Sequence, residues 1–594
     1  MKELISLLEN EVKGAFKEAG YDEKYGTVTI SNRPDLCEFQ CNGAMASAKE
    51  YHKAPIEIAK NVAEKLTGSS LISDIDAVPP GFLNFRVSAD DLSKYINDMA
   101  SSDSLGYEKT GDQKTIILDY GGPNVAKPLH VGHLRSAVIG EALKRILRFN
   151  GDRVVADVHL GDWGLQMGLI ITELRERKPD LPYFDESFSG EYPEEAPFTL
   201  AELEEIYPTA SAKSKDKDNP EAAAEYKARA LEATAELQKG NPAYRAILKH
   251  IIDLSVTDLK KNYERLSVDF DLWKGESDAD PFIPDMVRMM KDGGWAHESD
   301  GALVVDVAEE SDSREIPPCM ILKSDGAALY DTTDLATLVW RERDYHPDMV
   351  AYVVDKRQEL HFIQVFRCAK KTGIVPEDTD LRFVGFGTMN GADGKPFKTR
   401  DGGVMRLSSL LDEITAGMKE KIRSGGVLDG DEADKVAAQV ALSAIKYGDL
   451  SNQCAKDYIF DVDRFTSFEG NTGPYILYTM VRIKSILSKF ESEGGKLESV
   501  SVLSPETESE RNLMLCISRF QDAVKSAAEE LAPHKICAFI YDLSNALNHF
   551  YHETRILAEE NTEKKLGYLS LLSVTLKVLE TSIDMLGFDA PDRM

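Results

Sequence analysis

Along Thr115-Ile116-Ile117-Leu118-Asp119-Tyr120 the apolar positions are consecutive, whereas from Leu134 they fall four apart, at Leu134, Val138, Ala142 and Ile146. An unbroken short run fits a buried strand and the spaced stripe fits one face of a helix, here reaching Leu147. The pattern therefore predicts a strand that turns into a helix, with the turn at Gly122-Pro123-Asn124-Val125-Ala126-Lys127-Pro128-Leu129-His130-Val131-Gly132-His133. Residues 153–158, 349–355 and 381–387 repeat the strand pattern, with helical stretches between them. Strands that alternate with helices predict a parallel sheet with right-handed crossovers.

Outside this region the periodicity changes twice. Residues 1–110 mix a helical stripe (Leu4, Leu7, Leu8, Val12) with extended runs at 27–30 and 82–87 and a helix near 54–66, which predicts a small α+β domain. The polar stretch 101–114 reads as a linker. An insertion at about 175–311 reads as mostly helical. Beyond Gly425, Gly426 and Gly430 the pattern is helical to the end, with amphipathic segments near 436–447, 475–490, 510–531, 536–557 and 565–586. The expected division is 1–110, 111–425 and 426–594, the last a helical bundle.

Composition adds limits. The 594 residues carry a formal net charge of −31, which taken alone argues against a polyanionic partner. Residues 180–212 hold many carboxylates and no Lys or Arg, so much of the excess is local. Arg482, Lys484 and Lys489, or Arg341, Arg343, Lys356 and Arg357, are candidate basic faces. Seven scattered cysteines without a Cys-x-x-Cys read as reduced, packed thiols. No apolar run is long enough to span a membrane and the N-terminus does not read as a signal sequence, so the expected location is cytoplasmic, with no membrane partner.

The turn carries the chemistry. A helix start beyond the carboxyl end of a parallel strand offers free backbone N–H groups to phosphates, and Gly132 between His130 and His133 lets a nucleotide approach the backbone. A His-x-x-His pair also fits a zinc half-site or packed histidines. Against those readings, the pair precedes the helix, no Cys pair is near, and no Glu follows as in metalloproteases. The glycine spacing matches neither a dinucleotide fingerprint nor a P-loop.

His130-Val131-Gly132-His133, with its lead-in Pro123-Asn124-Val125-Ala126-Lys127, resembles the signature of class I aminoacyl-tRNA synthetases, most closely the arginine-specific family. Further matching blocks are residues 159–164, 330–335, 444–450, 468–475 and the ending 590–594. Nucleotidyltransferases share the signature alone; the ordered set of blocks narrows the choice. The resemblance implies a Rossmann-like parallel-sheet catalytic domain between a small N-terminal α+β domain that contacts tRNA and a C-terminal all-α anticodon domain. It implies ATP-dependent attachment of L-arginine to its tRNA through arginyl-adenylate, with Mg²⁺ accompanying ATP, in a monomer. By the same resemblance, His130, Gly132 and His133 bind ATP, and His130 and His133 are catalytic. Lys127 is catalytic and compensates for a degenerate second signature, Gly394 to Arg400, whose Lys395, Lys398 and Arg400 remain candidate pyrophosphate contacts. Asp119, Tyr330 and Asp334 fall where the family grips the guanidinium, and Asn124 and Gln358 where it holds the α-amino group. Tyr447, Tyr475, Tyr478, Phe550 and Tyr551 are candidates for stacking on anticodon bases. The same likeness implies that activation waits for tRNA.

Overall fold

Four parallel strands lie side by side in the order Asp380–Phe386, Met349–Asp355, Thr115–Asp119, Arg153–Asp157. Their apolar runs follow from position, because a parallel sheet is covered on both faces. The helix Val131–Asn150 connects the third and fourth strands in this order, and the chain returns much later to add Met349–Asp355 on the other side of Thr115–Asp119. Strand order thus reverses beside Thr115–Asp119, and the carboxyl end of such a reversal is where open α/β sheets bind ligands. Ser136 fixes the helix there: its hydroxyl accepts from Gly121 N at 2.8 Å and donates to Val353 O at 2.6 Å.

The computed structural model describes all residues except 34, 392, 396–404, 427 and 498. The parallel sheet belongs to one unit, residues 111–420 and 448–465. Residues 175–311 hold the helices Leu200–Lys213, Pro220–Gln238 and Pro242–Arg265. A three-stranded antiparallel sheet, Ala296–Ser299, Ala302–Val305 and Cys319–Leu322, escaped the pattern reading because each strand has only four residues.

The second unit joins residues 1–110 to 421–447 and 466–594. Its N-terminal part is an antiparallel sheet, ordered Val28–Ile30, Phe39–Cys41, Phe82–Val87, Ile72–Val78, with four helices. Arg511 on the helix Glu508–Ser518 donates to Glu38, one bond measuring 2.9 Å, and Ser93 donates to Val502 O at 2.7 Å, so the first and last parts of the chain share one core.

This corrects a single boundary at 425. The helix Gly430–Leu450 starts in the second unit, and residues 448–465 pack with the sheet unit. A buried ion pair is one of the ties: Arg135 Nε donates to Asp449 Oδ2 at 2.9 Å, both side chains being almost wholly buried. Tyr458 donates to the same Asp449 oxygen at 2.8 Å, and Tyr458–Ile459 pairs parallel with Met389–Asn390. The segment expected as one helix over 510–531 is two, Glu508–Ser518 and Phe520–Glu529.

Candidate active site

The helix Val131–Asn150 is capped by the two histidines themselves. His130 Nδ1 accepts from Gly132 N at 3.0 Å, and His133 Nδ1 accepts from His130 N at 3.1 Å. The rings lie 3.8 Å apart between centroids. With each Nδ1 accepting a backbone N–H, a neutral ring carries its proton on Nε2, so both rings present a donor away from the backbone. The neutral form is favoured. Burial, reinforced by Lys127, lowers His130 below the ordinary imidazole range, and burial with His130 beside it lowers His133 to about 3. Gly132 has an internal reason as well: a Cβ there would stand 2.8 Å from His130 Cε1.

Three backbone segments run past the strand ends to form a floor. Val125 N donates to Gly161 O at 3.1 Å, Leu160 N to Lys274 O at 2.7 Å, and Glu276 N to Leu160 O at 3.0 Å. The approach at Gly161 is close enough that a Cβ would fall 2.2 Å from Asn124 Oδ1. Above this floor opens a cleft of about 290 Å³ whose lining includes Asn124, Lys127, Tyr207, Glu276 and Tyr330. Lys127 Nζ sits 4.5 Å from the Tyr207 ring centroid, a cation–π contact that aims the ammonium at the cleft wall. A second cleft, of about 870 Å³, lies in the insertion and shares none of these residues.

The acidic residues fall into three arrangements. Asp119 and Asp157 end adjacent strands and both accept from one nitrogen, Nη2 of Arg341, at 2.6 and 2.7 Å. The place expected to meet a substrate guanidinium thus already holds the protein's own. Asp334 and Asp331 are bridged by His361, which contacts them at 2.5 and 2.6 Å. Burial opposes a charge on His361, but the bonds to the two carboxylates outweigh it and lift the imidazole to about 10. Glu276 differs: burial pushes its carboxyl up to about 7, with His159 opposing and Asp162 and Asp334 reinforcing the shift. Sequence reasoning missed Glu276 and His361, read Arg341 as part of a basic face, and gave His159 no role beyond its place in a matching block.

Comparison with known proteins settles the family. The profile described as tRNA synthetases class I (R), catalytic domain, matches residues 95–462; the DALR anticodon binding domain matches 476–594 and the arginyl tRNA synthetase N terminal domain 2–87. The chain is 62% identical over 603 residues to the arginine–tRNA ligase of Agathobacter rectalis and 54% identical over 594 residues to that of Alkaliphilus oremlandii, covering 100% of both chains each time. The chain belongs to the arginyl-tRNA synthetase family. Two solved arginyl-tRNA synthetases share its fold. That of Plasmodium falciparum has a TM-score of 0.81 at 24% identity, with 100% of each chain covered. That of Thermus thermophilus has 0.79 at 23%, covering 99% of this chain and 100% of its own.

Within this arginyl-tRNA synthetase fold, Asn124, Lys127 and Tyr330 meet at the cleft, and Tyr330 is 69% exposed. Gln358 is exposed at the end of the short helix Lys356–Gln358 and is not among the cleft residues. Lys395 is exposed, its backbone N–H held by Asp393 at 3.1 Å; Lys398 and Arg400 lie outside the described residues. Of the candidate basic faces, Arg341 is fully buried, while Lys356 pairs with Asp457 and Arg357 with Asp355. In the C-terminal helices, Tyr447 and Phe550 are core residues, which removes them as stacking partners. Tyr478 and Tyr551 remain 44% and 36% exposed, with the Arg482 guanidinium 4.9 and 4.8 Å from their ring centroids. Tyr475 donates to Asn545 and accepts from Asn548, at 2.7 and 2.8 Å.

Proposed function

We infer that this chain ligates L-arginine to its cognate tRNA: the arginine carboxylate attacks the α-phosphate of ATP, pyrophosphate leaves, and the arginyl group of the adenylate passes to the tRNA end with release of AMP. The observation that carries this reading is the cleft that gathers Asn124, Lys127, Glu276 and Tyr330, with Lys127 on the turn that leads into the His130–His133 cap, at the strand-order reversal of a chain matched over its full length by arginine–tRNA ligases.

In this reading His130 and His133 donate Nε2–H to the ATP phosphates, and Lys127 adds a full positive charge from the cleft side. Phosphoryl-type transfer is driven by alignment and by neutralising charge that develops in the transition state, which such fixed donors supply without reorganisation. Lys395 is assigned to pyrophosphate, as are Lys398 and Arg400. Mg²⁺ accompanies ATP, whose phosphates supply its ligation. Among the described residues one group, Asp119, Asp157 and His159, comes close enough to hold a cation, and Arg341 already sits on its two carboxylates.

The arginine side chain enters the cleft toward Glu276, with Tyr330 over it and Asp334 behind. A guanidinium donates paired, planar bonds that a carboxylate accepts, which makes Glu276 the main acceptor. Asn124, at the floor, takes the α-amino group, with Gln358 its assigned partner, and Asp119 acts through the cluster it forms with Arg341. The exposed Tyr478–Arg482–Tyr551 face offers two rings and a cation for unstacked anticodon bases, and residues 1–110 form the second tRNA contact. The protein acts in the cytoplasm as a monomer.

Arginine-dependent ATP–pyrophosphate exchange, run with and without tRNA, tests this function. Exchange that requires both arginine and tRNA is expected. Exchange supported by lysine or cysteine in place of arginine overturns the substrate, and no exchange under any condition overturns the activity.

A further inference from the structure

His159 follows the strand Arg153–Asp157 in a left-handed backbone conformation, φ +40°, which costs free energy for any residue but glycine. Both its ring nitrogens are buried and neither has a hydrogen-bond partner. A ring nitrogen nonetheless lies within 4.8 Å of carboxylate oxygens of Asp119 and Asp157. Strain and two unsatisfied polar atoms together mean that neither packing nor hydrogen bonding explains this side chain in the free protein.

The charges around it do. Asp119 and Asp157 face it from two strand ends, Asp162 from the turn that follows, Glu276 from the short helix Glu276–Ala279, and Asp334 and Arg341 from the helix Tyr330–Tyr345. Arg341 is committed to Asp119 and Asp157, and His361 to Asp331 and Asp334. The acids still outnumber these two cations, and His159 is the remaining basic group at the centre. Burial alone would discharge it, but Asp119 and Asp157 outweigh burial and hold its proton more tightly than an ordinary imidazole.

We propose that His159 is a positioning residue of the arginine site, a displaceable counter-charge that keeps the strand-end carboxylates Asp119 and Asp157 in place until the arginine guanidinium arrives, and then gives its proton to solvent. The inference rests on the cleft being the arginine site. An incoming guanidinium beside Glu276 and Asp334 adds a positive charge to this group of residues and repels the one held at His159. Arginine binding then releases the His159 proton, so affinity rises with pH through the titration of this residue.

The test is calorimetric titration of the full-length protein, with tRNA present, by L-arginine in buffers of different ionisation heat, which counts protons released per arginine bound. His159→Asn and His159→Gln, both neutral and polar, are measured beside Glu276→Gln, and folding of each is checked by circular dichroism. In both His159 variants the proton count drops and the KM for arginine rises about tenfold, while the KM for ATP moves less than about twofold. A merely structural role would not change the proton count. If Glu276→Gln weakens arginine binding but both His159 variants keep wild-type affinity and proton count, this inference falls and the reading of the cleft stands. If Glu276→Gln also binds arginine as the wild type does, the reading of the cleft falls too and takes this inference with it.

Discussion

Replacing Glu276 by Gln keeps the shape of the cleft wall and removes only the charge a guanidinium would pair with. Leaving one partner of a buried ion pair alone costs about 3–5 kcal/mol, so arginine should bind roughly two to three and a half decades more weakly. The wild-type protein carries a second signature of the same group. Burial sets its carboxyl at about 7, and arginine needs the ionised form. The ionised fraction is about nine-tenths near pH 8 and about one-tenth near pH 6, so wild-type affinity should rise about tenfold over that interval, and Glu276→Gln should flatten this component. In the free protein the sign is opposite. The folded value lies above the reference value of 4.5, so the folded state binds the proton more tightly. Its contribution to stability, about 3 kcal/mol, is fully present below about pH 4.5 and is lost as pH rises through about 7. Arginine affinity is read by calorimetry at three pH values and stability by urea titration with and without arginine. An arginine Kd within about threefold of wild type in Glu276→Gln would refute the assignment, as would a wild-type affinity that does not change with pH.

His130→Ala or His133→Ala removes a preorganised donor and should slow exchange by about 3 kcal/mol of barrier, roughly two orders of magnitude, with arginine affinity by calorimetry within about twofold. Because burial keeps both rings neutral, the pH profile of kcat should show no step from their protonation near the ordinary histidine value. Asp449→Ala strands the buried Arg135 guanidinium and should cost about 3–5 kcal/mol in urea unfolding, whereas the double change Arg135→Met with Asp449→Leu should recover most of it; equal losses in both would show that charge burial is not the cause. Tyr478→Ala should raise the Kd for tRNA by about 1–3 kcal/mol, and Arg482→Ala should also make that Kd less dependent on salt; unchanged tRNA affinity in both would remove this face from recognition.

The strand-to-helix turn was legible because its signals are local: an apolar run, a four-residue stripe and the His-Val-Gly-His sequence between them sit within some thirty residues. All four strands of the sheet fell within one residue of their expected bounds for the same reason. What pattern could not supply was contact across distance. Glu276 lies in a polar stretch far along the chain and becomes a wall of the cleft only because Leu160 pairs with Gly275 beyond the strand end. The return of residues 448–465 rests on contacts far apart in sequence, among them the buried pair of Arg135 with Asp449 and the strand pairing of Tyr458–Ile459 with Met389–Asn390, and nothing in the helical periodicity of Gly430–Leu450 marks its last residues as belonging elsewhere. The candidate stackers split along the same line, since period alone does not say which face of an amphipathic helix carries Tyr478 outward and Phe550 inward.

Asp119 and Glu276 show why residue type was a poor guide to role at this site. Both are carboxylates near the strand ends, Asp119 buried and Glu276 half-buried, and either could accept a guanidinium. Asp119 has a resident one, because Arg341 projects from the helix Tyr330–Tyr345 and joins it to Asp157. Burying a carboxylate without a partner is costly, and a chain can meet that cost with a fixed cation or with a proton. Arg341 is the fixed cation for Asp119 and Asp157, His361 the tightly held one for Asp331 and Asp334, and a proton serves Glu276. A fixed cation closes a carboxylate to substrate, whereas a proton that leaves near neutral pH keeps it available. The acid best suited to receive arginine is therefore the one whose charge is suppressed while the cleft is empty.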